Sequence, residues 1–210
     1  DLIVTDWFWV SRQRSQNRMF SFIPHSMAAG GLMVSSNSNI DNITDLKGKK
    51  IGIAGGSIDK SWLIFRAYYK DLFGKDLRNE SEQIFGAPPL LNKKIEQGSF
   101  DAILTYWPYQ ARLKTKDFNT VINVSDVIKE LGIDGNIPVI GWVFRDDWAK
   151  QNEELLSNFV KASNEAKNLM LISDEIWERV KPSMNIDDEQ VFINLREIYR
   201  EGIPKESANF

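Results

Sequence analysis

The feature that most constrains this chain is a strand–turn–helix order that recurs through its middle. Lys50 to Ala54 (Lys-Ile-Gly-Ile-Ala) predicts a short strand, Gly55-Gly56 a turn, and Ser57 the N-cap of a helix. In that helix the apolar residues Trp62, Ile64 or Phe65, and Tyr68 or Tyr69 recur at helical spacing. Gln83 to Phe85 predicts the next strand, Pro88 opens a helix that runs to Gln97, Gly98 stops it, and Phe100 to Tyr106 is a strand again. Strands that alternate with helices predict an α/β fold with mainly parallel sheets, and in such sheets ligands sit beyond the carboxyl ends of the strands. Asp6, Ser57 and Tyr106 all fall at predicted ends of this kind.

The flanks extend the pattern. Leu2 to Val4 predicts a buried strand ending at Thr5-Asp6, followed by a polar helical patch from Ser11 to Asn17, a strand from Phe20 to Pro24, and an apolar run from Ala29 to Val34. Asn37 to Lys50, rich in Asn, Asp, Ser and Lys, predicts a linker with one helical turn closed by Gly48. Val121 to Val124 and Ile137 to Phe144 predict further strands, with a helix from Ser125 to Leu131 between them. From Asn152 onward the pattern is helical, with a break at Pro182. The chain opens directly on an apolar strand, so its first lobe is expected to be incomplete at the N-terminus.

Composition removes several classes of function. In 210 residues, 42% hydrophobic and 26% charged with seven Trp, there is enough apolar material for two modest lobes. A net charge of -3 gives no long-range attraction to a phosphate backbone, so no nucleic acid is expected as a partner. Without cysteine there is no disulfide, thiolate nucleophile or sulfur-ligated metal, and one histidine does not make a metal site. No run approaches the roughly 20 apolar residues of a membrane span.

The series Asp45-Leu46-Lys47-Gly48-Lys49-Lys50-Ile51-Gly52-Ile53, Gly55-Gly56-Ser57, Gly98-Ser99-Phe100-Asp101-Ala102 and Tyr106-Trp107-Pro108-Tyr109 resembles the nitrate/taurine-type substrate-binding proteins of ABC transporters. That resemblance covers nearly the whole chain. It implies the type II periplasmic-binding fold, two α/β lobes joined by two strands. Residues 1–40 and 141–210 would form lobe one, and residues 41–140 lobe two. It also implies a periplasmic or lipid-anchored extracytoplasmic protein, monomeric, with a small-molecule solute and an ABC transporter permease as partners, and no cofactor.

The candidate ligand-binding residues are Asp6, Trp7, Ser57, Ile58, Asp59, Tyr106, Trp107 and Trp142. Ser57-Ile58-Asp59 opens a helix whose free N–H groups suit an acceptor, and in the family this position contacts solute; a plain cap is the other account of Ser57. Asp59 in that first turn is expected to repel simple anions. Trp107 stands where the family often has an acid, and with Trp7 and Trp142 it offers flat faces to a ring or a cation, against ordinary packing as the alternative. Asp6 would bind an amine or ring N–H, or cap the following turn. His25 reads as structural, and Arg12, Arg14, Arg18 and Lys93-Lys94 as solvated faces that also suit contact with the transporter.

No nucleophile with an aligned base and no carboxylate pair stands out, so a binder is expected rather than an enzyme. The expected solute is a heteroaromatic or amine-bearing metabolite gripped by hinge closure, with a sulfonate or taurine-type solute as the alternative. A pyridoxal-dependent pyrimidine-synthase-like enzyme uses the same fold, but its cysteine-rich motif is absent. Type II lobes also serve as cytoplasmic sensor domains.

Overall fold

The computed structural model describes residues 2–133 and 137–204. In chain order it has β1 (Leu2–Asp6), α1 (Trp7–Arg14), β2 (Phe20–Ser26), β3 (Gly31–Ser35), a 3-10 turn (Ile43–Leu46) and β4 (Lys50–Ala54). Then come α2 (Lys60–Phe73), α3 (Leu77–Glu80), β5 (Glu82–Gly86), α4 (Pro88–Glu96), β6 (Ala102–Thr105), α5 (Trp107–Leu113), β7 (Phe118–Asn123) and α6 (Val124–Glu130). The last part comprises β8 (Ile140–Arg145), α7 (Asp146–Gln151), α8 (Glu153–Ile172), α9 (Asp174–Val180), a second 3-10 turn (Lys181–Met184) and α10 (Glu189–Glu201).

These elements group into two compact units. Residues 2–28, 137–192 and 196–204 belong to the first, residues 29–133 and 193–195 to the second. The boundaries therefore differ from the expected 1–40, 41–140 and 141–210. Residues 29–40 join the second unit because β3 pairs with β6 and β7 of its sheet. For the same reason Asn37 to Lys50 is not a linker but a loop inside that unit, where Asn42 and Asp45 close a capping box around the 3-10 turn. Residue 1 and residues 134–136 and 205–210, included in the expected lobe ranges, lie outside the described residues.

The first unit is built on three antiparallel strands in the order β1-β8-β2. Trp142 and Phe144, two residues apart on β8, share one face of the sheet with Ile23 of β2, and α8 covers that face with Leu156, Phe159 and Val160. The expectation that Leu2 to Val4 is buried is corrected. β1 is an edge strand, and Ile3 and Val4 are 49% and 52% exposed.

The second unit carries a five-stranded sheet in the order β5-β4-β6-β3-β7. β4 is parallel to β5 and β6, while β3 is antiparallel to β6 and β7, so β3 alone runs against the rest. The first sheet is thus antiparallel and the second mixed, rather than mainly parallel, within the expected α/β architecture. On one face Met33 and Ile103 pack with Leu91 and Ile95 of α4, Leu113 of α5 and Phe100. Gly52 lets Phe100 lie flat there, since a Cβ would stand 2.8 Å from its ring. The alternate residues Leu32, Ile51, Ile53 and Leu104 are buried on the opposite face. There α2 sets Trp62 edge-on to Phe85, and α6 packs on both α2 and β7.

Candidate functional site

β4 and β6 are parallel, so both end at one edge of the second unit's sheet, and antiparallel β3 begins at that edge with Gly31, opposite Thr105. Beyond β4 the chain turns at Gly55, whose φ of +92° lies in the left-handed region, and Gly55 to Ile58 are exposed. The Asp59 amide then donates to the Gly56 carbonyl at 2.9 Å, which uses up two residues before the helix can start. Asp59 is therefore the N-cap of α2, its Oδ1 accepting from the Ser61 amide at 2.9 Å. Ser57, expected to be this cap, lies instead in the exposed turn.

Asp59 is tied to the end of β6. The Tyr106 hydroxyl donates to Asp59 Oδ2 at 2.8 Å, and Lys60 Nζ lies 3.9 Å from the same oxygen and 4.7 Å from the centre of the Tyr106 ring. The Asp59 and Lys60 side chains are only 8% and 9% exposed, so the two charges offset each other out of bulk water. A Cβ at Gly55 would lie 2.7 Å from the Tyr106 hydroxyl and 3.1 Å from Asp59 Oδ2, so glycine is needed there for space as well as for φ. The buried Ser61 hydroxyl has no hydrogen-bond partner among the described residues.

A second layer of polar side chains holds this edge in place. Thr105 Oγ1 donates to Asn92 Oδ1 at 3.2 Å, and Asn92 Nδ2 donates to the Tyr109 carbonyl at 3.0 Å. Gln110 Nε2 donates to Asn123 Oδ1 at 2.7 Å and to Thr120 Oγ1 at 3.1 Å. Asn92, Thr105 and Gln110 are buried. They were missed in the sequence; the available signal was a polar residue at a position where helix or strand periodicity calls for an apolar one. At Gly30, φ is +115° and a Cβ would stand 2.0 Å from the Thr105 carbonyl oxygen and 2.9 Å from the Trp107 amide. The backbone entering β3 thus lies directly against the turn that presents Tyr106 and Trp107.

Five of the candidate residues, Ser57, Ile58, Asp59, Tyr106 and Trp107, lie in the second unit, and the structure joins Asp59 to Tyr106 directly. Ile58 is exposed, and Trp107 is half-buried at the first position of α5. Asp6, Trp7 and Trp142 lie in the first unit. Asp6 caps α1, accepting from the Trp9 amide at 2.8 Å, and Trp7 stacks on Phe8 with ring centres 3.9 Å apart. Trp142 is held from several sides: Nε1 donates to Ser163 Oγ at 3.1 Å, and its ring lies 4.8 Å from both Phe159 and His25.

His25 is the extra residue of a β-bulge between Pro24 and Ser26. Burial, and then the nearby positive charge of Lys167, lower its pKa to about 4. Burial likewise lowers the pKa of Lys167. Among the described residues no three His, Asp or Glu are grouped to hold a metal ion, and no helix is long and apolar enough to cross a membrane.

A family model described as NMT1/THI5 like matches residues 21–173. Among curated proteins none matches. Among solved structures, the alkanesulfonate-binding protein SsuA from Xanthomonas axonopodis pv. citri bound to MOPS is 15% identical with a TM-score of 0.71, over 97% of this chain and 67% of that one. The periplasmic aliphatic sulphonate binding protein SsuA from Escherichia coli is 17% identical with a TM-score of 0.65, over 94% of this chain and 60% of its own. A protein of Bordetella bronchiseptica RB50 is 18% identical with a TM-score of 0.76, over 100% of this chain and 68% of its own. The chain thus spans 60–68% of the length of these three proteins, and at these identities the likeness is one of fold: the two-lobed α/β fold of periplasmic binding proteins.

Proposed function

The chain belongs to the NMT1/THI5-like family, and from this we propose that it is the extracytoplasmic solute-binding component of an ABC importer, a binder rather than an enzyme. Closing of the two-lobed fold on its solute would be the state the permease recognises. The observation that carries the proposal is the Asp59–Lys60–Tyr106 cluster at the carboxyl edge of the second unit's sheet, the position where α/β sheets take their ligands. Its groups are buried, mutually bonded and held by glycine turns, which is how a site is kept ready before its ligand arrives.

For the solute we favour a small heteroaromatic or amine-bearing molecule. Among the described residues Asp59 accepts two short hydrogen bonds, which leaves lone pairs for an amine or ring N–H, with the Trp107 indole next along the chain from Tyr106. A sulfonate is the second reading, and one observation favours it: Lys60 offsets Asp59, which weakens the expected repulsion of anions. The names of the two SsuA structures point the same way.

Calorimetry with an aminopyrimidine and with methanesulfonate, on the wild type, Asp59→Asn and Tyr106→Phe, tests site and class together. For an amine-bearing solute, Asp59→Asn weakens binding at least tenfold, about what loss of a charged hydrogen bond removes. For a sulfonate the same change strengthens binding. If neither variant alters the affinity for a solute that the wild type binds, the site is not here.

A further inference from the structure

We propose that His25 and Lys167 of the first unit form a second binding site, which takes a small oxyanionic group of the carboxylate or sulfonate kind. The site stands on the first unit alone and does not depend on the solute of the second.

Its residues come from three elements. The bulge in β2 sets His25 out of the regular strand, and the His25 ring lies 4.8 Å from Trp142 of β8. On α8, Phe159, Ser163 and Lys167 follow one another at four-residue spacing and therefore lie on one stripe of the helix. The first two contact Trp142, and the third brings its charge to His25. Trp142 is thus held by His25, Phe159 and Ser163 rather than free to clamp a ring by itself.

The chemistry of this cluster is unbalanced. His25 Nδ1 is buried without a hydrogen-bond partner among the described residues. Lys167 is only 7% exposed and has neither an ion pair nor a hydrogen bond among them. Among the described residues neither side chain has a carboxylate partner, and burial lowers the pKa of both. A lysine buried as a residue with no counter-charge among the described residues, and an unmet ring nitrogen, each cost free energy. The second unit solves the same problem internally, with Asp59 beside Lys60. In the first unit the counter-charge has to come from outside. An oxyanion would pair with Lys167 and accept from the Nδ1–H tautomer of neutral His25, and the Trp142 face would shield both bonds from water.

His25 is the only histidine of the chain, so its imidazole nitrogens give an unambiguous signal in long-range 1H–15N spectra. Sodium methanesulfonate and sodium acetate are titrated at pH 7 against sodium chloride of equal ionic strength. The expected result is a saturable shift toward the Nδ1–H tautomer with at least one of the two organic salts, and a rise in the His25 pKa at saturation. In Lys167→Met, and equally in Lys167→Gln, the apparent affinity falls about tenfold or more. Shifts that are the same in chloride, or saturable binding unchanged by both Lys167 variants, overturn the proposal. The wild-type titration alone decides the first point, so the test survives a variant that does not fold.

Discussion

The two units treat their buried lysines in opposite ways. In the second, five strands are covered on both faces, and the polar side chains at the sheet's edge bond one another: Asp59 with Tyr106 and Lys60, Thr105 with Asn92, Gln110 with Asn123. In the first, three strands carry an edge with exposed Ile3 and Val4, Nδ1 of half-buried His25 has no hydrogen-bond partner, and buried Lys167 has no counter-charge among the described residues. A large core can hold a satisfied polar network rigid, whereas a small sheet under one long helix leaves such groups to be met by something else.

The largest effect that would break this contrast lies in the cores. Trp62, 1% exposed in the second unit, is expected to cost about 3–5 kcal/mol when replaced by Ala. Trp142→Ala in the first unit is expected to cost about half as much or less, because that ring is only half-buried. Urea unfolding of both variants measures the difference, and equal losses would mean that the first unit is as tightly packed as the second.

A smaller effect concerns pH. His25 has a folded-state pKa of about 4, below its unfolded value near 6.5, so the unfolded chain binds more protons between these values. The contribution from neutral His25 is present above about 6.5 and is lost as the pH falls toward 4. Replacing His25 by Gln should flatten the stability profile in this window, as followed by thermal unfolding across pH; an unaltered slope would show that the imidazole is solvated in the folded protein. The smallest effect is expected in the balanced cluster. Tyr106→Phe removes one hydrogen bond to Asp59 and should cost about 1 kcal/mol in urea unfolding, because Asp59 keeps Ser61 and Lys60. A loss several times larger would make that hydroxyl the keystone of the edge.

Much of this was legible along the chain. Helical spacing of Trp62, Ile64 or Phe65, and Tyr68 or Tyr69 marked α2, Pro88 and Gly98 bracketed α4, and the glycine-rich turn after β4 marked the edge where Asp59 and Tyr106 meet. Those signals are local: periodicity, turn chemistry and helix stops act within a few residues. The sequence pattern puts the cap of α2 at Ser57 rather than Asp59, since a serine after two glycines fits it, and only the Gly56–Asp59 turn shows where the helix can start.

The sequence by itself determined the strand–turn–helix order, the positions of the glycines, and which residues arrive at strand ends. The tertiary structure decided strand direction and partnership: β3 runs against its neighbours, residues 29–40 join the second unit, and Leu2 to Val4 lie at a sheet edge. It also decided which polar groups meet, setting the Tyr106 hydroxyl on Asp59 and bringing Lys167, far along the chain, to His25. The physical reason is range. Dihedral preferences and apolar periods are properties of neighbouring residues, whereas pairing, burial and the balance of charge depend on residues that only the folded backbone brings together.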